Sequence, residues 1–237
     1  AKREVQVGEM KSLFVSFAAH QLKTPSSVVK GFLELMLRQG ESAYSKDQWH
    51  FLTSAFESNE NLIVVSKTLL NMARLEGGLI EPDIRSFDPH ATLQAKIGSY
   101  APVYEAKKLR ITLAGVDSDS GLSLNTDESF FTEVFGILLG NAIKHSPNES
   151  EILVTYTLLK DKCEVHVIDQ GAGIAPAIRE KLFNKGQDTS EGDENSHGLG
   201  LFMAKKYIAL LGGTIGLAER DAEAPGSDFY FSVPNVD

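Results

Sequence analysis

Cysteine is nearly absent: Cys163 is the only one in 237 residues. No intrachain disulfide and no multi-thiolate metal site can form, so a reducing, cytoplasmic location is the expectation. Long hydrophobic runs are missing as well. Ile63-Val64-Val65 and Ile208-Ala209-Leu210-Leu211 fall far short of the roughly 20 apolar residues that span a bilayer. Positive charge is in deficit, with 23 Lys and Arg against 32 Asp and Glu and a net charge of -9. That balance excludes a broad footprint for nucleic acid or anionic lipid and leaves room only for a local anion site. Neither an initiator Met nor a signal-peptide core stands at Ala1-Lys2-Arg3-Glu4-Val5, so the chain reads as a piece of something longer, whose membrane anchoring the sequence leaves open. No internal repeat recurs at a fixed period. What is present, 42% hydrophobic and 23% charged residues, is the composition of one or two globular domains.

From Val7 to Arg38 the apolar residues Met10, Phe14, Phe17, Val28, Phe32 and Leu35 keep the three-and-four spacing of a helical seam. Gln39-Gly40-Glu41-Ser42-Ala43 breaks it. A second seam follows through Leu52, Phe56, Ile63, Leu70 and Ala73, with Asn59 and Ser66 at two of its steps, and Gly77-Gly78 stops it. Each helix would run about 30 residues, or about 45 Å. A lone hairpin this long and thin has too little core for its surface, so the pattern predicts a homodimer closed as a four-helix bundle.

After Pro82 the periodicity changes. Phe87 to Ala106 reads as a short strand and a helix, Leu109 to Leu113 as a strand, and Glu128 to His145 as a helix with Phe131, Val134, Phe135, Leu138 and Leu139 inward. Glu151 to Leu158 and Cys163 to Ile168 alternate as a hairpin around Lys160-Asp161-Lys162. A glycine-rich turn, a polar stretch from Gln187 to Ser196, a helix from about Gly200 to Leu211, and strands near Thr214 to Ala218 and Phe229 to Val233 complete an α/β sandwich.

Three elements of this half carry chemistry. Asp169-Gln170-Gly171-Ala172-Gly173-Ile174 follows a strand and can hold a purine edge against a closely approaching backbone; alone, it is equally a turn with a capping Asp. His197-Gly198-Leu199-Gly200-Leu201 opens a helix whose free N–H groups suit phosphate, or is simply a loop hinge. Asn141 and Lys144 lie three apart on one helix face, an amide oxygen beside an ammonium, as a magnesium phosphate group requires or as any solvated face provides.

Together these elements resemble the transmitter region of a two-component sensor histidine kinase. Phe14-Val15-Ser16-Phe17-Ala18-Ala19-His20-Gln21-Leu22-Lys23-Thr24-Pro25 resembles the family's H box, and Asn141 to His145 its N box. Asp169 to Ile174 resembles the first glycine box, Leu182-Phe183 the F box, Gly198-Leu199-Gly200-Leu201 the second glycine box and Gly226-Ser227-Asp228-Phe229 the last. The end of the second helix, Leu69 to Gly78, is also similar to family hairpins. The resemblance covers nearly the whole chain. It implies two domains, an all-α hairpin forming a dimeric four-helix bundle and an α/β sandwich of the Bergerat ATP-binding type. The boundaries it implies are 1–12 for the end of an upstream signalling linker, 13–78 for the dimerisation and phosphotransfer hairpin, 79–84 for a linker and 85–237 for the ATP-binding domain.

Carried over position by position, the resemblance implies ATP and magnesium as ligands. Asp169 would accept from the adenine amino group with support from Ser227; Asn141 would hold magnesium. Lys144 would meet the phosphates and His145 would lie where an aromatic residue usually faces the nucleotide. Gly171, Gly173 and Ile174 would form the adenine-side turn with Phe183 nearby, and Gly198, Leu199 and Gly200 would frame the phosphate end. Asn184 to His197 becomes an ATP lid.

His20 is the proposed nucleophile; Ser16, His20, Thr24 and Ser27 share a stripe beside the apolar seam, in water. Pro25 removes the donor to the Gln21 carbonyl, and a bend is expected there. Thr24 matches the position that orients water for dephosphorylating a response regulator, although its hydroxyl can also bond the His20 carbonyl. The chain departs from the pattern at three places. Gln21 stands where an acidic residue is common and cannot take a proton. Ile137 stands where a second Asn is common, and Ser196 replaces a glycine. The expected function is an ATP-dependent protein-histidine kinase that phosphorylates His20, passes the phosphoryl group to an Asp of a response regulator and reverses that transfer through Thr24. The expected partners are a second copy, the regulator's receiver domain and an upstream sensor in the same polypeptide, and no nucleic acid. The alternatives are a degenerate nucleotide-binding scaffold and an ATPase without phosphotransfer, the latter disfavoured because Ile137 stands where such ATPases place a carboxylate.

Overall fold

The computed structural model describes residues 2–78, 80–117, 123–179, 181–184, 199–220 and 225–236. In chain order the elements are α1 (Lys2–Leu37), α2 (Lys46–Glu76), β1 (Ile84–Phe87), α3 (Pro89–Ser99), α4 (Ala101–Ala106), β2 (Arg110–Asp117), β3 (Leu124–Asp127), α5 (Glu128–His145), β4 (Glu151–Leu158), β5 (Lys162–Ile168), α6 (Pro176–Arg179), α7 (Gly200–Leu210), β6 (Thr214–Leu217) and β7 (Asp228–Pro234). They fall into two compact units that part between Glu81 and Pro82. Among the described residues no helix is long and apolar enough to cross a membrane.

The first unit is the hairpin of α1 and α2. Its turn is a single 3-10 turn, Glu41–Ala43, after Gly40 at φ 82. Ser45 then starts α2 with a capping box: its hydroxyl accepts from the Gln48 amide while the Gln48 side chain accepts from the Ser45 amide. Gly78, at φ 63, takes the left-handed conformation that ends the helix. The described parts of the interhelical seam are apolar at Leu52, Met72 and Ala73 and polar at Ser26 and Ser66, all buried. Asn59 Nδ2 crosses to the Ser26 carbonyl at 3.0 Å, and Lys30 Nζ meets Glu60 at 3.0 Å. Helix α1 continues through Pro25, with the Ser26 and Ser27 hydroxyls donating back to the Leu22 and Lys23 carbonyls at 2.8 and 2.9 Å.

The second unit is a five-stranded sheet in the order β2-β4-β5-β7-β6, with β2 parallel to β4 and all other pairs antiparallel, beside a small β1-β3 ribbon. Strict alternation buries one face: Ile152, Val154, Tyr156 and Leu158 on β4, Cys163, Val165 and Val167 on β5, and Phe229, Phe231 and Val233 on β7. The helices add Phe131, Val134, Phe135, Leu138 and Leu139 from α5 and Met203, Ala204, Tyr207 and Ile208 from α7, all buried. Phe131 meets Phe231 edge-on at 5.3 Å between ring centroids.

Three parts of the sequence reading need correction. The helix expected up to Ala106 is two helices, parted at Tyr100, where the Pro102 that opens α4 lacks the donor to continue the first. The strand expected over Leu109 to Leu113 extends to Asp117 because β2 pairs with β4 along its whole length. Strand β3, which the sequence did not suggest, is four residues long and held by β1 and by the Asn235 side chain, whose Oδ1 accepts from the Asn125 amide at 2.8 Å.

Candidate nucleotide and phosphoacceptor sites

Strand β5 delivers Asp169 to a position only 4% exposed. Its Oδ1 accepts from the Gly171 amide at 2.7 Å and the Ser227 amide at 3.2 Å. Its main chain is tied by Asp169 N–H to the Ser227 carbonyl at 2.9 Å and by Arg220 Nη1 to the Asp169 carbonyl at 3.1 Å. Burial pushes the carboxyl pKa up, and the two amides, His145 and Arg220 pull against that rise. With one oxygen held by two amides, the carboxylate keeps acceptor capacity on the other, directed recognition of a donor being its remaining chemistry.

The glycines around it are required by space. A Cβ on Gly226, at φ 89, would collide with the Asp169 carbonyl. A Cβ on Gly171 would lie 2.7 Å from the His145 carbonyl oxygen, and one on Gly173, at φ 72, 3.2 Å from the Gly226 carbonyl oxygen. The turn after β5, the start of β7 and the end of α5 are therefore in backbone contact, which brings Asp169, Gly171, Gly173, Ser227 and His145 to one place. Phe183 stacks edge-on against Phe229 at 6.4 Å beside the buried Leu182. Ile174 is half-buried, and its carbonyl accepts from Arg179 Nε at 3.1 Å.

Helix α5 links this turn to the second glycine segment. Asp127 caps its start, accepting from the Phe130 amide at 2.9 Å. Ile137, Asn141 and His145 follow at four-residue steps along one side. Ile137 Cγ2 lies 3.4 Å from the Cβ position of Gly200, while the far end of the line touches Gly171. Asn141 is half-buried between these contacts, and Lys144 and His145 are exposed one turn on. Helix α7 starts at Leu199 and Gly200 with no side-chain cap, unlike α2, α3 and α5, so its first amides offer donors at the positive end of the helix. Of the expected lid, Asn184 to His197, all but Asn184 lies outside the described residues, as does Gly198.

Among the described residues no group of three or more His, Cys, Asp and Glu could hold a metal. Asn141 alone offers a hard amide oxygen, which fits an ion such as magnesium that keeps waters and takes its other ligands from substrate phosphates. In the hairpin, His20 lies within α1 and its side chain is outside the described residues, whereas Gln21 and Thr24 are exposed. Arg220 was not singled out by sequence reasoning; its bond to Asp169 spans 51 residues and follows no local pattern.

Residues 10–78 match the His Kinase A (phospho-acceptor) domain, and residues 126–237 match the histidine kinase-, DNA gyrase B-, and HSP90-like ATPase. The chain is 27% identical to the sensor protein GacS of Pseudomonas syringae pv. syringae over 98% of its own length and 26% of that protein. It is 28% identical to the signal transduction histidine-protein kinase BarA of Escherichia coli over 100% of its length and 26% of that protein, so it spans about a quarter of these relatives. In fold it is similar to full-length ShkA in complex with AMPPNP, with a TM-score of 0.74 at 23% identity, covering 94% of this chain and 46% of that one. It is also similar to ThkA in complex with the response regulator protein TrrA, with a TM-score of 0.65 at 19% identity, covering 99% of this chain and 66% of that one. The two matched domains in this order, with relatives aligned along the whole chain, make it a member of the sensor histidine kinases, namely a two-component transmitter region.

Proposed function

We propose that the chain is an ATP-dependent protein-histidine kinase that phosphorylates its own His20 and passes the phosphoryl group to an aspartate of a response regulator. In this reading residues 13–78 are the phosphotransfer hairpin, 85–237 the ATP-binding domain, 79–84 their linker and 1–12 the end of an upstream signalling segment. The observation that carries the reading is the frame at Asp169: a buried carboxylate whose main chain and glycine neighbours leave one acceptor edge for a purine amino group. Asn141 and Lys144 on α5 and the uncapped start of α7 are the groups this reading assigns to the phosphates. Magnesium held at Asn141 would offset charge on the phosphoryl oxygens.

A lone pair on a neutral His20 ring nitrogen forms the N–P bond while the bond between the γ-phosphorus and its bridging oxygen breaks and ADP leaves. The ring proton is lost to solvent, because Gln21 can accept a hydrogen bond but take no proton. A regulator carboxylate oxygen then attacks phosphorus and the N–P bond breaks. In this reading Thr24, exposed one turn after His20, orients a water for a separate dephosphorylating step, in which the water oxygen attacks the aspartyl phosphorus, the bond to the carboxylate oxygen breaks and inorganic phosphate leaves. A second reading, a nucleotide-binding scaffold without phosphotransfer, draws support from Ile137, whose apolar side chain faces Gly200 within the site. Autophosphorylation with labelled ATP distinguishes them: the parent chain incorporates label, and Asn141→Asp loses it while the far-ultraviolet helical signal of the hairpin stays. Binding of ATP without any label in the parent would favour the scaffold.

A further inference from the structure

Helix α5 ends at His145, and beyond the Ala142 carbonyl, which accepts from the Ser146 amide, the carbonyls of its last turn need partners from outside the helix. Lys107, at the end of α4, reaches across 36 residues of sequence and donates to the Ile143 carbonyl at 2.7 Å, the Lys144 carbonyl at 3.0 Å and the Ser146 carbonyl at 2.9 Å. An ammonium has three donors, and all three are spent on the negative end of one helix. The backbone around it repeats the link: Glu149 N–H donates to the Lys107 carbonyl at 3.0 Å and Arg110 N–H to the Ser150 carbonyl at 3.0 Å. Lys108, the next residue, points elsewhere; it pairs with Glu149 at 2.7 Å in a bridge whose side chains are 74% and 66% exposed.

The tripod lies under the turn that carries Lys144 and His145. That turn packs closely on the adenine side, since a Cβ added to Gly171 would lie 2.7 Å from the His145 carbonyl oxygen, and the Gly171 amide holds Asp169 Oδ1 at 2.7 Å. A shift of a few tenths of an ångström at the end of α5 is therefore transmitted to the carboxylate by backbone contact. We propose that Lys107 is a positioning residue of the nucleotide site, fixing the end of α5 so that Lys144, His145 and the Gly171 turn keep their places while it touches neither nucleotide nor phosphate itself. The proposal rests on the nucleotide-binding reading above.

The test uses the full chain and three variants. Lys107→Met keeps the aliphatic stem and removes charge and donors, Lys107→Arg restores both, and Lys108→Met is the neighbouring control. Titration with ATP and magnesium well below the unfolding temperature is expected to show affinity weakened about tenfold in Lys107→Met, the scale on which displaced supporting groups act. Lys107→Arg should recover most of that loss and Lys108→Met should match the parent. A role confined to stability would lower the unfolding temperature of Lys107→Met and leave its affinity intact, and that result overturns the proposal. Equal weakening in Lys108→Met overturns it too. Hydrogen exchange in the nucleotide-free chain reads the positional claim independently: faster exchange at the amides of residues 141–146 and of Gly171 in Lys107→Met is expected, and unchanged protection there refutes it. A parent chain that bound no ATP would sink the nucleotide reading alone, with the exchange measurement still deciding whether Lys107 fixes this turn.

Discussion

Asp169 sits almost out of water with one carboxylate oxygen held by two amides, and the fold bears the consequence. Its pKa is raised chiefly by burial, so the folded state holds the proton more tightly than the unfolded one. The resulting penalty on stability is fully present above the raised folded value and is relieved as pH falls through it into the ordinary carboxylate range. Asp169→Asn removes the charge but keeps an oxygen for the Gly171 and Ser227 amides. Thermal unfolding at neutral pH should show this variant at least as stable as the parent, with the gap closing as pH drops. ATP affinity should meanwhile fall about 10- to 100-fold, the worth of one hydrogen bond to a charged group. A variant that unfolds earlier and binds normally would show that the carboxylate has a structural role instead. At this scale Asp169, Gly171, Gly173 and Ser227 were legible because the acid and the glycines sit in short motifs. Arg220 and Lys107 were not, since each acts on a carbonyl contributed by a distant segment.

Helix α5 was readable over its whole length, Glu128 to His145, with Phe131, Val134, Phe135, Leu138 and Leu139 on the buried face, while the Asp127 cap came only from the structure. A long amphipathic period carries its own evidence. Strand β3 has only four residues, Leu124–Asp127, and depends on β1 and Asn235 for its partners, so no local pattern marks it. The break between α3 and α4, just before Pro102, was missed because the stretch up to Ala106 was read as one helix. Asp127 joins these elements, since Oδ1 caps α5 and Oδ2 accepts from the Asp83 amide at 2.8 Å beside β1. Asp127→Ala should destabilise the second unit by about 1–2 kcal/mol through the lost cap alone. Differential scanning calorimetry should show the transition of that unit moving down while the hairpin transition stays; a shift in the hairpin transition alone would contradict this placement.

Over the whole molecule, the hairpin unit leaves large apolar side chains open among the described residues. On α1, Val28, Phe32 and Leu35 follow one helical stripe and are 56%, 64% and 60% exposed, and Phe51, Leu62 and Val64 of α2 are exposed as well. Burying side chains of this size contributes roughly 1.5–3 kcal/mol each, which supports the reading of a second copy completing a four-helix bundle. Phe32→Glu should convert the dimer expected by light scattering into a monomer; a parent chain that is already monomeric at micromolar concentration would remove the dimer from the account. The seam of α2 was legible in sequence, yet its polar steps gained meaning only from the structure, where Ser66 is buried and Asn59 crosses to the Ser26 carbonyl. The central claim is chemical and rests on His20. Incubation of the purified chain with γ-labelled ATP and magnesium, beside His20→Ala, tests it most directly. A histidine kinase acting on His20 gives label that is lost in acid, survives base and is absent from the variant; label that persists in His20→Ala, or that resists acid, rules that chemistry out.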